Sequence, residues 1–247
     1  GWGDCKDMSE LLAELLRAVG IPARLTLVNL GHDVHLDPRF AAALQFNHCV
    51  VAVPQSALGE NPGPGLAGEW LVIDPTMDRG GPLWLSPSIQ GQWAVVAAGD
   101  DSELVQIPVL ADLERTDLLI AAALDDRGSA RGRARYTLTG SGAVGWLRSQ
   151  DAVEPERIEE SIRESFQLAL PGATVGETTW QEAPGELPTV RIEAAVTVPG
   201  LAQGGAERIR LRLPSLTPLP ESRELDDRSE AIVLRPGLYR TTWQLRL

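Results

Sequence analysis

Apolar residues recur at intervals of three and four over residues 7–19, where Met8, Leu11, Leu12, Leu15, Leu16 and Val19 fall on one stripe with acids and Arg17 opposite. That period predicts an amphipathic helix. Gly20 suits a left-handed cap at its end, and Pro22 prevents continuation. Asp4 and Asp7 complement the positive end of the helix dipole. Strand-length apolar runs follow at 23–29, 48–53 and 69–73. Residues 31–46 between the first two read as a surface loop with one short helical turn. Residues 56–68, between the second and third, are rich in Gly and Pro and have no pattern of their own. Helix first, then several strands, predicts one antiparallel sheet packed on that helix, an α+β arrangement.

The pattern changes after Gln92-Trp93-Ala94-Val95-Val96. Residues 98–104 are polar and acidic, which places a domain boundary near 97–105 and divides the chain into 1–97 and 98–247. In the second part, 117–124, 131–138, 190–198, 206–213 and 238–246 alternate or run apolar at strand length. Ile158, Ile162, Phe166 and Ala169 recur at helical spacing between Pro155 and Pro171. This predicts a β-rich domain carrying a single long helix. No internal repeat is evident.

With 43% hydrophobic and 23% charged residues the composition is globular. The net charge of −12 divides as −5 over 1–97 and −7 over the rest, so neither half is a basic platform for nucleic acid. Two cysteines exclude a disulfide scaffold and a four-cysteine zinc site. His32, Asp33, His35 and Asp37 have a metal-like mix but no further ligand in sequence, and they read as a solvated loop; no metal is expected. There is no glycine-rich phosphate loop or cofactor box, so no cofactor is expected. Arg127, Arg131, Arg133 and Arg135 read as the solvated face of an alternating strand. Trp70, Trp84 and Trp93 read as core or core rim.

Three short segments carry potential chemistry. Cys5 lies just ahead of the helix, where the dipole and unpaired amides favour a thiolate. His48 starts a strand, and Asp74 ends one, with Pro75 stopping the ladder. Taken singly, each has a bland reading: a small buried thiol, a satisfied half-buried imidazole, a turn starter. Together, in the order Cys–His–Asp on helix, strand and strand, they are the arrangement of nucleophilic acyl transfer. Cys49 follows His48 directly and should point to the opposite face, into the core. Gln45 and Asn47 are candidates for the wall of a substrate cleft.

The segment GDCKDMSELLAELLRAVGIPARLTLVN, followed by FNHCVVAV and WLVIDPT, resembles the transglutaminase-like superfamily, a branch of the papain-like cysteine-enzyme fold. The resemblance is greatest to its bacterial multidomain members and covers roughly residues 2–96. It implies a catalytic triad of Cys5, His48 and Asp74, a transglutaminase-like core to about residue 97, and a β-rich domain after it. It implies acyl chemistry on peptide or side-chain amides of a protein or peptide substrate. Protease or amidase action is favoured over amine transfer, because neither an amine tunnel nor a calcium-ligand set is marked. The alternative is a non-enzymatic peptide-binding or assembly module that retains the core. Members of the family have helical sequence before the Cys, and it commonly supplies a second oxyanion donor. Only four residues precede Cys5 here, so the front is expected to be missing, with Trp2 left to cover the cleft. The apolar arc of the 7–19 helix is then expected to dimerise or to meet that missing part. A bacterial, extracytoplasmic setting is compatible with all this, but the compartment is left open.

Overall fold

Helix α1 (Cys5–Ala18) forms where the period predicts, and its ends explain why it starts and stops there. The Asp4 carboxylate accepts from the backbone of Lys6 and Asp7 at 2.8 and 3.3 Å, while the Asp7 carboxylate accepts from Asp4 N–H at 2.9 Å. This reciprocal box satisfies donors that a helix start leaves unpaired. Gly3, at φ +89°, brings the chain in so closely that a Cβ would stand 2.6 Å from Asp7 Cβ. At the far end Gly20, at φ +83°, donates to Arg17 and Ile21 donates to Leu16, closing the last turn.

The computed structural model describes residues 3–31, 36, 43–59, 65–80, 84–151, 153–185, 187–205, 208–213 and 238–246. The chain divides into two compact units, one built on residues up to Leu113 and the other on residues from Glu114.

In the first unit, β1 (Arg24–Val28), β2 (His48–Pro54), β3 (Leu66–Ala67), β4 (Trp70–Ile73), β5 (Trp93–Val96) and β6 (Glu103–Gln106) form one sheet. Their order is β3-β4-β2-β1-β5-β6, and every pairing is antiparallel. β6 begins inside the expected boundary region, 97–105, and pairs with β5, and Ile107 and Leu110 beyond it join the same core. Both faces of the sheet are covered. On one, Ala13, Leu12 and Leu16 of α1 pack against Ala23, Val51 and Val53. On the other, Val28, Val50, Val72 and Ala94 meet Leu85, Ile89, Ile107 and Leu110. Buried Gln90 ties that second layer together, donating to Leu85 O and accepting from Leu110 N–H, each at 2.8 Å. The stripe Leu11, Leu15 and Val19 on the outer side of α1 stays 62, 58 and 72% exposed. Trp84 is buried and Trp70 half-buried, but Trp93 alternates with buried Ala94 and faces out, contrary to its reading as core rim.

The second unit has the strands β7 (Arg115–Leu124), β8 (Ala130–Thr139), β9 (Thr174–Glu182), β10 (Thr189–Val198) and β13 (Leu238–Arg246) in the order β13-β7-β8-β10-β9. β13 runs parallel to β7, and the other pairings are antiparallel. A separate pair, β11 (Ala202–Gly205) and β12 (Arg208–Leu211), completes the strands among the described residues. Two helices cover one face of the sheet, α2 (Ser141–Asp151) and α3 (Pro155–Ala169), where one long helix was expected. Ala143, Leu147, Ile162 and Phe166 pack on Leu118, Ile120, Ala134, Val190 and Ile192. α2 escapes notice in the sequence because its start is held from a distance: the Glu114 carboxylate accepts from Ser141 N–H and Oγ–H at 2.7 and 2.6 Å. Arg131, Arg133 and Arg135 do alternate outward along β8, whereas Arg127 belongs to the turn before it, held by Asp125.

Candidate active site

Two of the three chemistry-bearing residues meet directly. His48 opens β2 and Asp74 follows the last residue of β4, its neighbour in the sheet. His48 Nε2 lies 3.0 Å from Asp74 Oδ2, and both side chains are almost wholly buried. The second carboxylate oxygen is occupied too: Asp74 Oδ1 accepts from Thr76 N–H at 3.0 Å and from Thr76 Oγ–H at 2.7 Å. Pro75 has no N–H to offer the ladder, so the chain turns at this point and the carboxylate is pinned from both sides. Burial raises the cost of the charged carboxylate. The hydrogen bond from His48, followed by those from Thr76, outweighs it and holds the carboxyl below its ordinary value. With Nε2 committed to Asp74, Nδ1 is the ring nitrogen left for another partner. Thr76 was not singled out from the sequence, although Asp-Pro-Thr is a recognisable side-chain turn.

Cys5 is the first residue of α1 and is partly exposed. Among the described residues its sulfur forms no hydrogen bond with His48 or Asp74. Its level along the sheet follows from the packing of the helix. Ser9 Oγ–H donates to Cys49 O at 2.9 Å, and Ala13 packs one turn further on against Val51 and Val53. Helix and strand therefore advance together: four helical residues rise about 6 Å and two strand residues about 6.6 Å. One turn back from Ser9, Cys5 lies toward the start of β2 on the α1 side of the sheet. The capping box claims the N–H groups of Lys6, Asp7 and Asp4 but leaves that of Cys5 aside.

The remaining candidates divide. Cys49 is a buried free thiol, alternating with His48 as expected. Burial pushes its pKa up, against a hydrogen bond from Ser9 that pulls it down. Asn47 spends both ends of its amide on one backbone: Oδ1 accepts from Leu30 N–H at 2.7 Å, and Nδ2 donates to Leu30 O at 3.4 Å. It acts as a clasp at the end of the β1–β2 ladder. Gln45 ends a single 3₁₀ turn, Ala43–Gln45, half-buried. Trp2 and the group His32, Asp33, His35 and Asp37 lie outside the described residues. Among the described residues no group of His, Cys, Asp and Glu could hold a metal ion.

Residues 1–75 match the family model of the transglutaminase-like superfamily, a segment that includes Cys5, His48 and Asp74. No curated protein and no solved structure matches the chain.

Proposed function

We propose that the transglutaminase-like segment carries out cysteine-nucleophile acyl chemistry on peptide or side-chain amides. The observation that carries this reading is the buried His48–Asp74 hydrogen bond, supported by a thiol that opens α1 within the same family segment. Cys5 sulfur attacks the amide carbonyl and its proton passes to His48. The C–S bond forms, and as the tetrahedral adduct collapses the C–N bond breaks, with His48 returning the proton to the departing amine. Asp74, fixed by Thr76, holds the imidazole in one tautomer and orientation. The N–H of Cys5 is free to donate to the oxyanion. Contacts of this kind tighten when substrate binds, so a Cys–His hydrogen bond need not be present beforehand. Water is the favoured acceptor of the acyl group, giving a protease or amidase, because amine transfer demands exclusion of water from the acyl-enzyme.

A glutamine-bearing peptide incubated with the full chain and a labelled amine tests both levels. Release of ammonia or peptide fragments without label, abolished by Cys5→Ala and by His48→Ala, is the expected result. Label incorporation dependent on Cys5 overturns the preference for hydrolysis. Alkylation by iodoacetamide reads the thiol even without turnover: Cys5 should react faster than Cys49, and His48→Ala should slow it by about tenfold. Equal reactivity in wild type and His48→Ala removes the triad. The other reading, an assembly module, is supported by the uncovered stripe Leu11, Leu15 and Val19 on α1. It predicts self-association or capture of further polypeptide through that helix, with Cys5 no more reactive than an ordinary thiol.

A further inference from the structure

The helix-free face of the second unit's sheet has a pattern that the acyl chemistry does not use. Register places Ala123 of β7 directly between Arg131 of β8 and Arg246 of β13, and Ala121 between Arg133 and Gln244. The small residues leave a trough of about 500 Å³ with Arg131, Gln244 and Arg246 in its walls. Strands about 4.8 Å apart put the two flanking arginines about 9.6 Å from each other across the alanine floor, within reach of one ligand. Arg131, Arg133 and Arg240 have side chains 72, 64 and 63% exposed. Arg191 also projects from this face of β10.

Carboxylates neutralise only part of this charge. Glu193 is held by Arg135 at 2.6 Å and by Arg133 at 3.4 Å, and Asp117 by Arg115 at 3.1 Å and Arg240 at 3.4 Å. Asp125 lies 3.8 Å from Arg131. Among the described residues Arg246 and Arg191 have no carboxylate partner, so the arginines of this face exceed the acids that pair with them. In a chain of net charge −12, concentrating arginine on one face gives an acidic partner a place where it is attracted rather than repelled.

We propose that this face binds acidic polypeptide, an extended segment rich in glutamate or aspartate seated over Ala121 and Ala123 between Arg131 and Arg246. Arg131, Arg133 and Arg135 repeat every second residue, about 6.7 Å, which is the interval of same-side carboxylates in an extended chain. The planar guanidinium fork suits carboxylate in two-point contacts. Polypeptide is favoured over single-stranded nucleic acid because no described residue of this face offers a ring on which bases could stack. Tyr136 and Trp243 point to the helix-covered side, Tyr136 against Phe166 with ring centroids 5.0 Å apart.

Fluorescence anisotropy with a labelled peptide alternating glutamate and serine, added to the full chain, tests this. Binding at low salt that weakens steeply as salt rises is expected. Arg131→Glu with Arg246→Glu should weaken it by about tenfold or more, whereas the same charge change on the helical layer, Arg157→Glu with Arg163→Glu, should change it less than about twofold. Ala123→Trp fills the trough without altering charge and should also weaken binding about tenfold, independently of any effect of charge reversal on folding. Equal loss in both charge-reversed pairs reduces the effect to net charge and overturns the site. So does a glutamine–serine peptide binding as well as the glutamate one, or single-stranded DNA of equal length binding more tightly. None of these readouts depends on Cys5, so the outcome is separate from that of the acyl chemistry.

Discussion

The two sheets are built from similar strands but finished differently. Along β2 every position from His48 to Val53 is buried, because α1 covers one face and the Leu85–Ile89–Leu110 layer covers the other. Along β10 buried and open positions alternate, because helices cover one face only. A strand buried on both sides has no open face on which to present polar groups, so functional groups belong at its ends. His48 is the first residue of β2 and Asp74 the first after β4. A sheet with one open face can spread its polar groups along every strand, and here they are arginines. The difference teaches where to look on each: at the rim of the first sheet, and across the middle of the second.

The largest effect should come from putting the same charge into both. Val51→Glu, on a fully buried position of β2, is expected to cost about 5 kcal/mol or more and to leave little folded protein. Ala195→Glu, beside Arg133 on the open face, should cost less than about 1 kcal/mol. Urea denaturation of the two variants reads this directly, and similar losses would mean that the open face is covered in solution.

Removing Asp74 should come next. Asp74→Ala leaves His48 buried without its partner, at a cost of about 3 kcal/mol, and should depress any turnover more than it depresses thiol alkylation. The pair also has a pH signature. The folded Asp74 carboxyl is held below its ordinary value of 3.8, so its stabilisation is complete above that value. It is lost as pH falls from there through the lower folded value. Wild type should therefore lose stability in this acid window faster than Asp74→Asn; parallel curves would show that the carboxylate is not held as described.

Smaller effects test the open surfaces. Glu193→Gln loosens two arginines that are 64 and 47% exposed, and should cost only about 0.5 kcal/mol while tightening acidic-peptide binding. Smallest of all, Leu15→Lys on the uncovered stripe of α1 should alter stability by less than about 0.5 kcal/mol. In sedimentation the same variant should abolish whatever association α1 supports. A large loss of stability in the monomer would show that the stripe is packed.

What was legible in the sequence follows the same division. The run HCVVAV could be read as a buried strand and TVRIEAAVTV as a half-buried one, since period alone carries that information. α1 could be read to within two residues because its caps are local: Asp4, Asp7 and Gly20 lie in or beside it. α2 could not, because its two glycines weaken the pattern and its cap, Glu114, comes from 27 residues away. β9 was missed for a related reason. It is an edge strand whose residues are mostly exposed, and its side chains record little of the fold. His48 and Asp74, which the structure pairs, could be named from residue type and order, as could Cys5, which it does not bond to either. Thr76 was obscured, and Asn47 was named for a cleft wall and not for its bonds to Leu30, because ordinary turn residues make the same kinds of contact.

The Asn47 clasp has a consequence for how this molecule can change. It fastens Leu30 to a residue 17 positions on, so the two ends of the intervening stretch are joined at a fixed point immediately before His48. Chain added to or removed from that stretch then leaves the clasp, the β1–β2 register and the His48–Asp74 pair in place. Closing a loop twice as long costs only about 0.6 kcal/mol more. Residues 31–46 are thus an interchangeable part. Their length and sequence can drift, or be exchanged by an engineer, and each new version starts and ends at the same clasp.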